Sequence, residues 1–357
     1  MAKFFQGPHD IGSMAVTGLF LLAMVAFLHY AQAILLPVVL ALLFYFLFKP
    51  VVLALNALKV PRALGAILVI AVMLGAVFSA LSSLQEPATR FLEQAPDGFR
   101  KIEEKAGELT GWLEQFNQKP PAPDPAGDIP KVATPSFLSR FHLSETLLSS
   151  TTLINTASFL TGLLETIVLL FFLLAAGDRF LETLVAALPG QTEKDEAVAI
   201  VNDVQRNISR YLLTVTVINA LVGIIVAIAM LWLGMPNPVL WGVVAGVLNF
   251  MPYFGPLTVF IVLVMAGLLS FPTGIGQALL PSGFYLCLHA AESNLVTPAI
   301  LGRRLTLNPL IIFLALMFWT WLWGISGALL SVPLLMVFKI LCNHTRPLAP
   351  VGEFISG

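Results

Sequence analysis

The sequence predicts an all-α polytopic integral membrane protein, with about six full spans plus two broken helical hairpins, or eight full spans. Of its 357 residues, 58% are hydrophobic and only 11% are charged, whereas about a quarter are charged in a typical soluble domain. Most charges fall in residues 85–150 and 178–210, and only three lie between 211 and 338. Because a charge at the bilayer centre costs about 2.5–3.5 kcal/mol, the uncharged stretches indicate membrane helices.

Apolar runs of about 20 residues mark the full spans, since this length of helix crosses a hydrocarbon core of about 30 Å. The first run is longer than the apolar part of a signal peptide and a second run follows at once, so we expect a retained span. The six runs of this length are 12–29, 34–57, 63–84, 153–176, 211–233 and 274–291.

Two further apolar regions, 238–271 and 308–341, are too long for one span and contain helix breakers near their middles. Each opens with an Asn-Pro pair, which suggests a weak internal repeat. Broken helices in corresponding positions of two halves are typical of transporter binding regions. The alternative is that Pro and Gly only kink two ordinary spans. The motif residues are Pro252, Gly255, Pro256, Pro298, Gly302, Asn308, Pro309, Gly324, Gly327 and Pro333.

The positions of Lys and Arg in short loops predict the orientation. Lys59 and Arg62 place the second connection, and with it the N-terminus, on the cytoplasmic side. Eight full spans would put Arg303 and Arg304 in a short external loop, against the positive-inside rule. Two re-entrant hairpins of opposite orientation keep both arginines and the C-terminus cytoplasmic, so we favour that arrangement.

The segment after the third run has a heptad pattern of apolar residues, which predicts an external amphipathic helix with a coiled-coil seam. A Pro-rich stretch at 119–125 then ends the helix. The seam requires a partner, either a second copy of the chain or the 137–150 segment of the same chain. Its large residues are Leu92, Phe99, Ile102, Leu109, Leu113 and Phe116.

These features divide the chain into six regions, which follow one another as membrane helices and hydrophilic segments. They are 1–84 with three transmembrane helices, 85–150 as the external insert with its Pro-rich linker, 151–177 as a transmembrane helix, 178–210 as cytoplasmic amphipathic helices, 211–345 as a transmembrane core with two broken helices, and 346–357 as a cytoplasmic tail.

Motifs of soluble enzymes and nucleotide-binding proteins are absent from the sequence. There is no GxxxxGK[ST], GxGxxG or HExxH, and the five histidines lack metal-ligand spacing. We therefore expect no cofactor, no metal and no enzyme activity, and the near-neutral net charge disfavours nucleic acid. The Gly324–Gly327 run, GISG, resembles the motif of rhomboid-type intramembrane proteases, but the only later histidine, His344, lies beyond the last apolar segment.

Polar residues inside apolar segments are candidates for solute or ion coupling. Glu165, at the centre of the 153–176 run, must be paired, protonated or in contact with water, which suits a proton-coupling carboxylate. It could instead face an aqueous vestibule or a subunit contact. Asn219, Asn249, Glu292 and Asn294 are further candidates, although each could simply hydrogen-bond a neighbouring helix.

The C-terminal half also carries a combination of motifs that resembles one family of membrane proteins. The motifs are Asn249–Pro256 (NFMPYFGP), Glu292–Gly302 (ESNLVTPAILG), Asn308-Pro309, Gly324–Gly327 and Pro333. Together with the hydrophobic layout, they resemble the AI-2E family of bacterial transporters, also described as PerM-like permeases. The resemblance implies an inner-membrane exporter or permease, associated in some members with autoinducer-2 and in others with sodium/proton exchange. The family is usually described with eight spans.

The sequence thus predicts a homo-oligomeric secondary transporter that moves a small polar solute or a cation, coupled to H⁺ or Na⁺, with the lipid bilayer as its surroundings. The alternative is a passive pore, or a structural membrane protein whose external coiled coil is the functional part.

Overall fold

The fold consists of helices throughout the part of the chain that the computed structural model describes. That part comprises residues 11–116, 150–187, 189–271, 274–301, 307–345 and 348–356. The helices are α1 (Ile11–Tyr30), α2 (Gln32–Ala57), α3 (Arg62–Phe116), α4 (Ser150–Ala186), α5 (Gln191–Trp232), α6 (Pro238–Leu248), α7 (Phe254–Ser270), α8 (Ile275–Ala291), a π-helical turn (Glu292–Val296), α9 (Thr297–Leu301), α10 (Pro309–His344) and α11 (Ala349–Ser356).

Five of these helices are long and apolar enough to cross a membrane: α2, α3 up to Phe91, α4 over Phe159–Gly177, α5 and α10. Ala15–Tyr30 of α1, α6 and α7 are apolar but shorter, and α8, which corresponds to the predicted span 274–291, is not among the five. With 11 residues, α6 is about 16 Å long, roughly half the thickness of a hydrocarbon core. The predicted fold class is confirmed, and the chain is a multi-pass membrane protein. The choice between re-entrant hairpins and eight full spans stays a prediction.

The first predicted break lies between α6 and α7, where the chain turns within five residues. Tyr253 has a positive φ of 62° immediately before α7. A Cβ on Gly255 would overlap the carbonyl oxygen of Leu248, so glycine is required for the close contact between the two helices. The turn brings the end of α6 against the start of α7 and leaves Asn249 as the last residue capping α6.

The second predicted break is a kink inside α10. Trp323 and Gly324 have non-helical backbone angles, with Gly324 at φ 61° and ψ −142°. The Trp323 indole N–H donates a hydrogen bond to the Leu28 carbonyl of α1 at 3.0 Å. Asn308 caps the start of α10 by accepting from the Leu310 N–H at 3.0 Å, and Pro309 occupies the first turn, where its missing N–H costs nothing.

The chain forms two compact units, each with one of the broken helices. The first contains residues 1–72, 158–213 and 304–357, and the second contains 73–157 and 214–303. Thus α10 belongs to the first unit, and the α6–α7 break belongs to the second. Residues 178–210, predicted as amphipathic helices, are divided between the end of α4 and the start of α5.

The core of the second unit is formed by the C-terminal half of α5 with α6, α7 and α8. Its fully buried members include Val226, Met230, Leu263 and Tyr285. Phe91 of α3 packs edge-on against Trp241 of α6, with ring centroids 4.9 Å apart. Because the side chains that form this core are aliphatic and aromatic, a polar side chain buried beside them is unusual.

The predicted external insert begins as a direct continuation of α3, which is 55 residues long. The backbone is helical through Phe116, so the region of the heptad seam is a helix. The seam side chains, and the 137–150 segment except Ser150, lie outside what the structure describes, so the partner of the seam stays a prediction.

Candidate functional site: a buried polar cluster in the second unit

Close packing between α5 and α6 positions the first pair of the polar cluster. A Cβ on Gly246 would lie 2.9 Å from the Asn219 carbonyl oxygen, and one on Gly223 would lie 2.8 Å from the Gly242 carbonyl oxygen. The two backbones therefore touch, which only small residues permit. One turn beyond Gly246, the Asn249 Nδ2 donates a hydrogen bond to the Asn219 Oδ1 at 2.9 Å.

Glu292 is the charged member of the cluster and is only 9% exposed. Its Oε2 lies 3.4 Å from Nδ1 of His289, one turn earlier on α8. The Thr297 hydroxyl donates a hydrogen bond to Oε1 of the same carboxylate. Asn249 is a further hydrogen-bonding neighbour of this carboxylate. The Asn219–Asn249 pair and the Glu292–His289 pair are therefore joined into one network.

The π-helical turn explains how Thr297 reaches Glu292. Residues 292–296 form a π-helical turn between α8 and α9. In a π-helix a residue lies on the same face as the residue five positions later, so Thr297 lies beside Glu292. Such turns often occur at functional sites, because they redirect side chains without ending the helix. Here the turn places a hydroxyl against a buried carboxylate.

Tyr285 completes the cluster on the apolar side. Its ring stacks on that of His289, with centroids 6.1 Å apart and an interplanar angle of 13°. It also interacts electrostatically with Glu292. Tyr285 is 1% exposed and Asn219 is 3% exposed, yet the Tyr285 hydroxyl and Asn219 Nδ2 have no hydrogen-bond partner among the described residues.

The two unpartnered groups define what the cluster can bind. A buried polar group without a partner costs about 1–3 kcal/mol, so such groups are rare in native folds. Asn219 Nδ2 is a donor, and the Tyr285 hydroxyl can donate or accept. The chemistry of these two groups matches oxygen acceptors, such as those of a hydroxyl, carbonyl or carboxylate.

Three of the five coupling candidates from the sequence come together here, namely Asn219, Asn249 and Glu292. Asn294 does not join them: it is exposed and its Nδ2 donates to the Ala290 carbonyl at 2.8 Å. Glu165 belongs to the first unit, on an exposed face of α4 next to the buried Thr166. The sequence spacing and the apolar runs could not show that Asn294 and Glu165 lie outside the cluster.

The remaining motif residues act on the backbone around the breaks. Pro252 lies in the turn after Asn249, and Gly255 and Pro256 lie in the first turn of α7. Pro333 is buried within α10, and Pro298 lies in α9. Gly327 is in close contact with the Trp319 carbonyl, where a Cβ would overlap it. Gly302 lies outside the described residues.

Sequence reasoning missed Tyr285 and Thr297 as members of the cluster. A usable signal existed for Tyr285, because residues 285, 289 and 292 recur at helical spacings of four and three, which places them on one face. Thr297 could not be found in this way, since its return to Glu292 depends on the π-helical turn.

The structure also bears on metal binding and on intramembrane protease chemistry. No group of three or more His, Cys, Asp or Glu side chains in the described part of the chain could hold a metal ion. His344, the one histidine after the GISG run, contacts Asp203 Oδ2 through Nε2 at 3.2 Å and the Ile340 carbonyl through Nδ1 at 3.0 Å. Neither contact orients it toward Ser326, so the protease chemistry gains no support.

Comparison with known proteins identifies the family. A model of the AI-2E transporter family matches residues 19–347, nearly the whole chain. The chain belongs to the AI-2E family of transporters. The resemblance seen in the motifs is confirmed, and the protein is a membrane transporter.

Relatives of this AI-2E chain are similar over most of their length. It is 27% identical over 326 residues to the AI-2 transport protein TqsA of Escherichia coli K12, covering 89% of this chain and 88% of TqsA. A protein of Haemophilus influenzae, provisionally named a transport protein, is 27% identical over 316 residues, covering 87% and 86%. YueF of Bacillus subtilis, also provisionally named a transport protein, is 26% identical over 326 residues, covering 88% and 84%.

Proposed function

We propose that this AI-2E transporter is a secondary transporter of the bacterial inner membrane that exports or exchanges a small polar solute, or a cation, by ion coupling. Its binding site is the polar cluster of Asn219, Asn249, Tyr285, His289 and Glu292. Its N- and C-termini are cytoplasmic, as the positions of Lys and Arg predict, and it works as a homo-oligomer.

The single observation that carries this proposal is the pair of unpartnered, buried groups next to a helix break. A transporter must replace the hydration shell of a polar solute inside an apolar protein, so it needs donors that the fold itself leaves free. Asn219 Nδ2 and the Tyr285 hydroxyl meet that requirement among the described residues. The break at Asn249 adds backbone groups of the kind that line transporter sites.

The name of TqsA supports an oxygen-rich solute. TqsA is named for the transport of AI-2, and this chain covers most of its length. An autoinducer-2-like signal would supply several oxygen atoms to the donors of the cluster. We therefore place such a molecule first among the candidate solutes and an alkali cation, bound through amide and carboxylate oxygens, second.

Glu292 is the group that we assign to ion coupling. It is buried, and its nearest basic neighbour, His289, is charged only when protonated. A proton or Na⁺ that binds at this pair would change the charge of the site, which ion coupling requires. Glu165 is the second coupling candidate, because it lies in an apolar span but is exposed on the surface of its unit.

The test is reconstitution of the purified protein into liposomes with an imposed proton or sodium gradient. Internal pH is followed with a trapped dye, and autoinducer-2 and Na⁺ are followed as candidate solutes. We expect gradient-driven flux of at least one of them. Flux at the same rate with and without the gradient would support a passive pore. Absence of any flux would support a structural role for the external helix.

Three variants locate the coupling group. Glu292→Gln keeps the shape of the protonated acid, so it should lower gradient-driven flux at least tenfold while exchange without a gradient continues. Asn294→Ala, two residues away and outside the cluster, is the matched control and should behave as the wild type. Glu165→Gln is measured in parallel: loss of coupling in that variant alone would assign the role to Glu165 and contradict the assignment to Glu292.

A further inference from the structure

The first unit contains a large cavity bordered by charged residues. Its volume is about 1010 Å³, and its walls come from the end of α2, the start of α3, the end of α4 and the first turns of α5. It shares no residue with the polar cluster of the second unit. The charged residues in its lining are Lys49, Arg62, Arg179, Lys194, Glu182 and Asp195.

The lining has an excess of positive charge. Four basic and two acidic side chains give a formal net charge of +2. A second cavity of about 640 Å³ shares Lys49 with it and adds Arg206 and Arg210 without an acidic residue. The two cavities together therefore present six basic side chains against two acidic ones.

Two basic side chains of the lining carry a charge that no ion pair among the described residues neutralises. No ion pair joins Arg179 or Lys194 to another side chain that the structure describes. The Lys49 ammonium lies 5.3 Å from the centre of the Tyr45 ring, a cation–π contact. Of the two acids, Asp195 already accepts a hydrogen bond from Gln191 Nε2 at 3.2 Å.

The chemistry of the lining matches a phosphate group. Guanidinium groups bind phosphate oxygens through two parallel hydrogen bonds, and lysine adds a point charge. Neutral amides, including Asn56, Gln191 and Asn202, supply further donors to the same cavity. An arrangement of several cations with amide donors is therefore suited to a multiply charged oxyanion.

The position of the cavity along the helices indicates the source of that phosphate. The apolar part of α4 ends at Gly177, and α3 begins at Arg62, so the basic residues lie where membrane segments end. Basic pockets at this depth on the cytoplasmic side bind the headgroups of anionic lipids. The adjoining cavity also has an aliphatic wall at Leu53 and Leu213, which suits the first methylene groups of an acyl chain.

We propose that this basic cavity binds the phosphate group of an anionic ligand, and that the ligand is an anionic phospholipid of the cytoplasmic leaflet. The bound headgroup links α2, α4 and α5 at the ends of their membrane segments. It neutralises the charges of Arg179 and Lys194 in the first unit.

The experiment titrates the purified, delipidated full-length protein in detergent with three probes: short-chain phosphatidylglycerol, short-chain phosphatidylcholine and sodium phosphate. Bound lipid is counted by native mass spectrometry, and thermal unfolding is followed in parallel. We expect phosphatidylglycerol to bind at least tenfold more tightly than phosphatidylcholine and to raise the unfolding temperature. Equal binding of the two lipids would overturn the proposal.

The variant Arg179→Gln should lose at least tenfold in affinity for phosphatidylglycerol while unfolding at the wild-type temperature without lipid. Lys59→Gln is the matched control, since Lys59 lies in the same connection as Arg62 but does not line the cavity. An equal loss of affinity in both variants would show that binding depends on general surface charge, and it would contradict a specific binding site. If sodium phosphate competes fully at millimolar concentration, the ligand is a soluble phosphate ester and the lipid assignment is wrong.

Discussion

Gly324 has a backbone conformation at the kink of α10 that residues with a Cβ rarely adopt, with φ 61° and ψ −142°. Apart from its chain neighbours and the nearby backbone of its own helix, no atom lies within 4 Å of the place where its Cβ would stand. Any cost of a larger residue there must therefore come from the backbone alone. The kink also depends on Trp323, whose indole N–H is bonded to α1, so two adjacent residues fix the direction of the helix.

Replacing Gly324 with alanine should destabilise the protein by about 1–3 kcal/mol, the usual cost of forcing such a conformation on a residue with a side chain. The measurement is unfolding of the purified variant in detergent. Gly283→Ala is the matched control, because Gly283 is a helical glycine with nothing within 4 Å of its Cβ position. The control should be as stable as the wild type or slightly more so. Equal stability of the two variants would show that the kink is not maintained by the glycine.

The helices themselves follow from the apolar runs of the sequence, whereas the polar contacts between them do not. The 12–29 and 34–57 runs correspond to α1 and α2 within two residues at each end. The Asn219–Asn249 bond joins residues 30 positions apart, and it depends on the close glycine contact between α5 and α6. The periodicity of one segment carries no information on its contacts with another segment. Asn219, Asn249 and Glu292 could therefore be proposed as candidates from the sequence, but the contacts among them could not be predicted.

At the level of a single element, the helical extension of α3 allows the heptad seam to be tested. Ile102→Asp with Leu109→Asp places two charges on the predicted apolar seam and should lower the mass of the detergent-solubilised oligomer in light scattering. Lys101→Asp with Glu108→Asp changes the net charge by the same amount at positions off the seam and should leave the mass unchanged. An unaltered mass in the seam variant would assign the seam to a contact within one chain, such as with residues 137–150.

The whole molecule consists of two units with one broken helix each, which is how an internal repeat would distribute its two copies. The sequence predicted the repeat from two Asn-Pro pairs and two Gly-containing breaks. It could not predict the division into units, because α3 and α5 each contribute residues to both. Contacts between distant segments, and not local composition, decide that division.

The paired re-entrant arrangement makes a direct prediction about the orientation of the chain. A cysteine in place of Leu305, in a background with Cys287→Ser and Cys342→Ala, should resist membrane-impermeant thiol reagents in intact cells and react once the cells are opened. Thr134→Cys, in the predicted external insert, is the positive control and should be labelled from outside. Labelling of both cysteines from outside would favour eight full spans.

The length of α3 has a mechanical consequence. Its apolar run ends at Leu84, while the helix continues to Phe116, so the remaining 32 residues form an arm of about 48 Å at 1.5 Å per residue. A rigid arm of that length magnifies small rotations of its base: a change of about 10° in the tilt of the membrane portion moves the tip by about 8 Å. If neighbouring arms pair along their seams, the motion of one base is transmitted to the next at the tips, so the arms would act as levers.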